Sequence, residues 1–165
     1  MRRHFEGFAR YNQWANRRLY GAAAELPAER LLEDRGAFFG SVTGTLNHIL
    51  VGDRVWLHRL TGEGVPPSRL DEILFADFGE LRRAREAEDE RLIGVVTGLT
   101  DQRLSSAFAY RNMLGDEFEQ TVAEVLAHLF NHQTHHRGQV HTLLTQLGRE
   151  IPPLDLVYFL RTLPR

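Results

Sequence analysis

The chain has 165 residues, enough for a single apolar core, and we expect one domain spanning residues 1–165. Its 20 basic and 22 acidic residues are spread along the sequence, so no basic face for a nucleic-acid partner is predicted. The chain contains no cysteine and no lysine, which excludes disulfides, thiolate metal ligands, cysteine nucleophiles and lysine Schiff bases.

The sequence predicts neither a targeting segment nor a membrane span. Residues 1–6 lack the apolar core of a signal peptide, and no run approaches the roughly 18 apolar residues of a membrane-spanning helix. We therefore expect a cytoplasmic protein with no membrane partner.

Two amphipathic helices are predicted in the first part of the chain. Apolar and aromatic residues between His4 and Glu25 recur every three or four positions, and this helix should end near Pro27. Residues 28–40 are predicted to form a loop. Ser41 is a favourable N-cap for a second helix, which should run to about Leu60, where glycines and prolines follow.

A third helix is predicted over residues 77–99, where apolar positions surround a strongly charged middle. Two pairs of opposite charge, Arg82/Glu86 and Arg85/Asp89, have the spacing of neighbours on one helix face. We expect both pairs to lie on a solvated face.

The remaining elements are a hairpin and two helices. Aromatic residues on both sides of a turn at Gly115 predict a short hairpin over residues 106–119. Thr121 and Glu124 form a capping box that starts the longest helix, which should close at Gly148. A short last helix is expected over residues 155–163. The pattern predicts an all-α four-helix bundle with a short hairpin before the fourth helix and a short C-terminal helix.

Histidines are concentrated in the fourth helix. Imidazoles at positions i and i+4 lie on one face and can share a metal ion. The pairs His128/His132 and His132/His136 have this spacing, and His132/His135 is a less favourable pair. The apolar stripe of the helix passes through His132 and His136, so we expect these two to point inward and His128 and His135 to lie on the flank.

Spacing alone leaves other interpretations open. Two inward histidines can equally be core residues that hydrogen bond to other helices. A third ligand must come from elsewhere, and His48 stands at the margin of the apolar side of the second helix. Gln133 occupies the position where a zinc protease helix carries its catalytic glutamate, which argues against a zincin. Paired Glu-x-x-His motifs of a di-iron bundle are also missing, which favours one metal ion.

Four stretches carry a family resemblance. Residues 128–140, with the order His-Leu-Phe-Asn-His-Gln-Thr-His-His-Arg-Gly-Gln-Val, resemble the fourth-helix signature of the DinB/YfiT family of metal-dependent bundles. Residues 11–16, 46–56 and 152–156 agree with the same family. The resemblance implies that His48, His132 and His136 hold one divalent ion, with zinc or nickel expected first and iron or copper as alternatives. It also implies a homodimer.

The resemblance implies a function as well. Three neutral imidazoles leave a coordination position open, and members of the wider family are known or proposed as transferases that use a low-molecular-weight thiol. We therefore expect a metal-dependent transferase or hydrolase that uses such a thiol or water on a small-molecule substrate. The alternative is a non-enzymatic, stress-related metal-binding or scaffold bundle. The near-neutral charge argues against DNA binding.

Further residues are expected to orient the ligands or to line a substrate pocket. They are Asn12, Trp14, Asn47, Asp53, Arg137 and Gln139. Tyr11 and Trp56 are additional aromatic candidates for the pocket, and Arg137 is a candidate partner for a substrate carboxylate.

Overall fold

Long helices form the frame of the molecule, which the computed structural model describes over residues 1–164. The elements are α1 (Arg2–Ala23), α2 (Ala28–Leu31), α3 (Val42–Thr61), α4 (Phe78–Gly98), α5 (Asp101–Leu104), β1 (Ala107–Arg111), β2 (Glu117–Thr121), α6 (Val122–Gln146) and α7 (Leu156–Leu160). Helix α1 packs against α4 and α6, and α3 packs against the same two helices. The predicted all-α bundle is therefore confirmed.

The long helices begin where polar side chains can satisfy free backbone amides. The Ser41 and Asp77 side chains accept hydrogen bonds from the amides of Gly44 and Glu80, at the starts of α3 and α4. At the start of α6, Thr121 and Glu124 form the predicted capping box. These caps fix the helix starts that sequence analysis assigned.

Glycine closes two of these helices. Gly62 follows α3 with φ of 74°, and Gly148 follows α6 with φ of 79°, a left-handed conformation that glycine adopts without steric cost. The amide of Arg149 then returns to the carbonyl of Leu144 at 2.9 Å, which ends α6 as predicted.

The predicted hairpin is confirmed. Strands β1 and β2 pair antiparallel, with Ala107 opposite Thr121 and Arg111 opposite Glu117, and Gly115 has φ of 93° in the turn. The second strand runs directly into α6, so the hairpin holds the start of that helix.

Short helices account for the differences from prediction. Residues 28–40 are not entirely loop, because α2 forms one turn there after Pro27, a residue whose fixed φ suits a helix start. Thr100 caps the equally short α5, which periodicity did not predict because one turn carries too few apolar positions. Helix α7 is shorter than the predicted residues 155–163. No helix among residues 1–164 is long and apolar enough to cross a membrane.

A layer of buried polar residues separates two apolar parts of the core. One apolar cluster contains Leu19, Leu46, Leu50 and Leu144, and the other contains Leu57, Leu92, Leu126 and Leu129. Between them along all four long helices lie the residues that we call the polar layer: Asn12, Asn16, Asp53, Arg85, Asp89, Gln133 and Arg137. His48, His132 and His136 lie beside this layer, on α3 and α6.

Candidate metal centre

Three imidazole rings from two helices converge on one point. Nε2 of His48 lies 3.1 Å from Nε2 of His132 and 3.2 Å from Nε2 of His136. His48 and His136 are buried, and His132 is half-buried. The structure thus brings together the three ligands that the sequence predicted, in a group that could hold a metal ion.

The spacing of the nitrogens suits a metal ion. For a tetrahedral ion with bonds of about 2.0–2.1 Å to nitrogen, two ligand nitrogens lie roughly 3.3–3.4 Å apart. The observed separations of 3.1 and 3.2 Å are close to that value. Three imidazoles without a carboxylate or thiolate form a neutral donor set that suits zinc, nickel, copper or iron(II).

Hydrogen bonds on the far side of two rings fix their tautomers. Nδ1 of His48 lies 2.7 Å from the carbonyl oxygen of Leu70, so this nitrogen carries the proton and donates it. Nδ1 of His136 lies 2.8 Å from Oε1 of Gln139 and donates in the same way. The Nε2 atoms of both rings therefore present bare lone pairs to each other, an arrangement that a shared cation would stabilise.

Burial keeps the rings neutral. Burial, followed by the neighbouring histidines His136 and His48, lowers the pKa of His132 to about 3. Burial also lowers the pKa values of His48 and His136 from their usual range, although the hydrogen bonds to Leu70 and Gln139 act in the opposite direction. Neutral imidazole is the form that binds metals.

Gly52 makes room for the His132 ring. A β-carbon added at Gly52 would lie 2.8 Å from Cε1 of His132 and 3.3 Å from its Nδ1. Gly52 follows His48 by one turn of α3, so the ring of His132 packs directly on the α3 backbone beside His48. Sequence analysis did not single out this glycine, because its role depends on contact between two helices.

Two loop residues complete the surroundings of His48, and sequence analysis missed both. The Phe39 ring stacks on the His48 ring, with 3.8 Å between the centroids and 18° between the planes. Leu70 supplies the carbonyl that accepts from His48. Hydrophobic periodicity carries no signal for such contacts, since both residues lie outside regular elements.

Asn47 and Gln139 are the predicted neighbours that lie next to the ligands. Gln139 accepts from His136, as described above. Asn47 is fully buried and makes a two-way amide contact with Phe75, whose amide donates to Oδ1 at 3.0 Å while its carbonyl accepts from Nδ2 at 3.0 Å. This contact pins the segment before α4, which also carries Leu70.

The structure places the other predicted neighbours elsewhere. Asn12, Asp53 and Arg137 belong to the polar layer and make their hydrogen bonds there rather than to the three histidines. Trp14 packs against Phe159 on the outer side of α1 and does not contact the ligands. Helix α1 packs mainly against α4 and α6, whereas His48 lies on α3, and sequence periodicity cannot reveal this arrangement.

The charged pair Arg85/Asp89 corrects a prediction. Both residues are 1% exposed, so they do not lie on a solvated face as expected. Nη1 of Arg85 lies 2.5 Å from Oδ2 of Asp53, and Nη2 lies 3.0 Å from Oδ1 of Asp89. The other pair, Arg82/Glu86, is solvated as predicted. An i,i+4 spacing identifies neighbours on a helix but not the depth at which they lie.

The polar layer meets the candidate metal centre at Gln133. Nε2 of Gln133 donates to Asp53, and its Oε1 accepts from Nη1 of Arg137 at 3.1 Å. Gln133 follows His132 on α6, and Asp53 follows Gly52 on α3, so this bond joins the two helices at the level where the histidines meet. Burial raises the pKa of Asp53 to about 6, with Arg85 acting against that rise.

The other histidines of α6 lie on its flank. His128 and His135 are exposed, as the helical pattern predicted. The ring of Trp56 lies 5.2 Å from that of His128, which in turn lies 5.9 Å from that of His132. Tyr11 packs on the opposite side of α6 and donates from its hydroxyl to the carbonyl of Leu154 at 2.8 Å.

Fold and site together define a class of protein, a helical bundle with a candidate three-histidine metal centre between α3 and α6. The family model of the DinB family matches residues 1–163, and the chain belongs to that family. This confirms the resemblance drawn from the sequence motifs.

Two known proteins are similar to this chain. The chain is 27% identical over 156 residues to Protein DinB of Bacillus subtilis (strain 168), which covers 91% of this chain and 90% of that protein. Its fold is similar to the crystal structure of a DinB-like protein from Bacillus cereus ATCC 10987, with a TM-score of 0.65, 21% identity, and coverage of 90% of this chain and 95% of the other.

Proposed function

We propose that the chain binds one divalent metal ion, zinc or nickel first among the candidates, through Nε2 of His48, His132 and His136. We further propose that it acts as a metal-dependent transferase or hydrolase on a small-molecule electrophile, with a low-molecular-weight thiol or water as the nucleophile. His48, His132 and His136 would hold the ion, which would lower the pKa of a bound water or thiol and so would supply a nucleophile near neutral pH.

One observation carries the metal proposal. The Nδ1 atoms of His48 and His136 both face hydrogen-bond acceptors, so their Nε2 lone pairs point at each other across 3.2 Å. Two lone pairs at this distance repel, and the lowered pKa values of the rings argue against a bridging proton near neutral pH. A metal ion at the point of convergence would remove that repulsion.

The residues around the three histidines have different roles. Leu70 and Gln139 hold two imidazoles in the correct tautomer, and Phe39 covers one face of His48. His132 keeps part of its ring exposed, so we propose that substrate approaches from its side.

Metal content tests the first half of the proposal. Purified wild-type protein should contain close to one equivalent of divalent metal by elemental analysis, and His132→Ala should contain less than a tenth of that. His135→Ala is the matched control on the same helix, because His135 is exposed and lies outside the triad; it should keep the wild-type content. Equal metal content in wild-type protein and His132→Ala would refute the assignment.

Reaction of a thiol with a fluorogenic electrophile tests the second half. Zinc- or nickel-loaded protein should accelerate the coupling of added free L-cysteine to monobromobimane above the uncatalysed rate. Metal-free protein and His132→Ala should not. A hydrolase would instead consume ester probes without thiol. Absence of both activities in fully loaded protein would leave only the metal-binding part of the proposal standing.

A non-enzymatic bundle is the second candidate, and the site geometry gives it a specific basis. The three histidines join α3 to α6, and Phe39 and Leu70 tie two loops to His48, so a bound ion would fasten several segments together. A large loss of thermal stability on metal removal, with no activity under any thiol, favours this scaffold role. We also propose a homodimer from the family resemblance, which sedimentation velocity can test.

A further inference from the structure

The Arg59 side chain packs against two aromatic rings beside the candidate metal centre. Its guanidinium carbon lies 4.6 Å from the centroid of the Trp56 ring and 5.2 Å from that of Tyr110. The ring of Trp56 in turn lies 4.9 Å from Tyr110 and 5.2 Å from His128. We call Arg59, Trp56, Tyr110 and His128 the aromatic wall.

The charge of Arg59 has no carboxylate partner among residues 1–164. Two neighbouring arginines, Arg54 and Arg91, both form ion pairs with Glu88. Among residues 1–164, Arg59 takes part in no ion pair and no hydrogen bond. Burial lowers the pKa of Arg59, and the neighbour that raises it is Tyr110 rather than an acid. An arginine so placed, stacked on rings and free to donate, is a ready partner for an incoming anion.

The aromatic wall leads to the metal centre. His128 precedes His132 by one turn of α6, and their rings lie 5.9 Å apart. On α3, Gly52 contacts the His132 ring, and Arg59 lies seven residues further, about 10 Å along the helix axis.

We propose that the aromatic wall is a substrate subsite for a small planar molecule that bears a carboxylate. The carboxylate pairs with Arg59, the planar group packs against Trp56 and His128, and the other end of the molecule reaches the three histidines about 10 Å away. This subsite rests on the proposed function for its role in a reaction, and it can be tested as a binding site without it.

Fluorescence of Trp56 tests the subsite directly. The chain contains two tryptophans, so a Trp14→Phe background leaves Trp56 as the reporter. In this background 4-nitrobenzoate should quench Trp56 saturably, with a Kd at least fivefold lower than that of 4-nitrobenzamide, its neutral analogue. Equal Kd values for the acid and the amide, or no saturable quenching, would overturn the proposal.

Arginine variants show whether Arg59 makes the difference. Arg59→Gln should raise the Kd of 4-nitrobenzoate at least fivefold and remove the preference over the amide, and Arg59→Lys should give an intermediate Kd that keeps the preference. Arg161→Gln is the matched control, since the guanidinium carbon of Arg161, directly after α7, also lies over a ring, 5.3 Å from the centroid of Tyr158. An equal effect of Arg161→Gln would overturn the assignment to Arg59.

Cobalt(II) loading separates failure of the subsite from failure of the metal proposal. Ring protons of bound 4-nitrobenzoate should show paramagnetic shifts in cobalt-loaded wild-type protein and none in His132→Ala. Cobalt bound without such shifts would overturn the link between the aromatic wall and the metal centre. If cobalt does not bind, the metal proposal fails, and the quenching of metal-free protein still decides whether Arg59 forms an anion subsite.

Discussion

The missing side chain at Gly52 sets the position of the His132 ring. Gly52→Ala would bring a β-carbon to 2.8 Å from Cε1 of His132, too close for the ring to stay in place. We expect the Kd for zinc to rise at least tenfold and the free energy of unfolding to fall by about 1–3 kcal/mol. Competition with a chromophoric chelator measures the first quantity and urea denaturation the second.

Gly94→Ala is the control for this substitution. Gly94 also lies inside a long helix, but a β-carbon there would meet nothing within 4 Å. Replacing a helical glycine by alanine at an open position stabilises by about 0.5–1 kcal/mol, so this variant should be at least as stable as the parent and bind zinc normally. An equal loss of zinc affinity in both variants would contradict the role of Gly52.

The depressed pKa of His132 predicts acid sensitivity of the metal-free protein. His132 has a folded pKa of about 3 and an unfolded value near 6.5, so below pH 6.5 the unfolded chain binds the extra proton and stability falls with pH. Asp53, with a folded pKa of about 6, acts oppositely between about pH 4 and pH 6. A variant that lacks only His132 isolates the first effect, because Asp53 is present in both proteins.

We therefore expect His132→Gln to lose less stability than wild type on acidification. Between pH 7 and pH 5 the difference should be about 1–2 kcal/mol, since one extra proton on the unfolded chain changes stability by about 1.4 kcal/mol per pH unit. Urea unfolding in excess chelator at both pH values measures it. Parallel losses in the two proteins would show that His132 takes up a proton as readily in the folded state as in the unfolded chain, which would contradict the depressed pKa.

At the scale of elements, Arg85 joins α3 and α4 through the polar layer. It lies between two carboxylates, those of Asp53 and Asp89, and all three residues are buried. Arg85→Met would leave two uncompensated acidic groups in the core, and we expect a loss of about 3–5 kcal/mol of unfolding free energy. Guanidinium denaturation followed by circular dichroism measures this loss.

Arg82→Met provides the comparison on the same helix. Arg82 also pairs with an acid four residues later, Glu86 at 3.1 Å, but both side chains are exposed. Such a pair contributes about 0.3–0.5 kcal/mol, so this variant should lose no more than that. Comparable losses for the two variants would mean that burial does not distinguish the pairs.

The sequence predicted the long helices well for a physical reason. Each carries apolar residues at helical spacing, and Ser41 and the Thr121/Glu124 box mark two of their starts. The inward direction of His132 and His136 followed from the same periodicity. These features are local, and local sequence is sufficient to specify them.

Other features depend on contacts between distant segments, and the sequence did not predict them. Periodicity could not distinguish the buried pair Arg85/Asp89 from a solvated one, because depth depends on what packs against the helix. Phe39 and Leu70 reach His48 from loops, whose paths carry no periodic signal. The clearance at Gly52 becomes visible only once α3 and α6 are in contact.

At the scale of the whole molecule, the polar layer and the candidate metal centre occupy the same level of the bundle. Two apolar clusters stabilise the parts on either side, while the level between them holds buried charges and three histidines. Buried polar groups stabilise little unless all are partnered, and the Oδ1 atom of Asp53 has no hydrogen-bond partner among the described residues. We therefore expect the middle of the bundle to depend on metal more strongly than either apolar part.

Thermal unfolding with and without metal tests this dependence. An ion that binds only the folded state stabilises it by RT ln(1 + [L]/Kd), about 2.7 kcal/mol at a concentration of 100 times Kd. For a domain of this size each kcal/mol raises the Tm by roughly 2–4 °C, so zinc at that excess should raise the Tm by about 5–10 °C. His132→Ala should show no shift, and His135→Ala should shift like the parent, because only His132 belongs to the triad. A zinc-induced shift that survives in His132→Ala would place the stabilising ion elsewhere in the bundle.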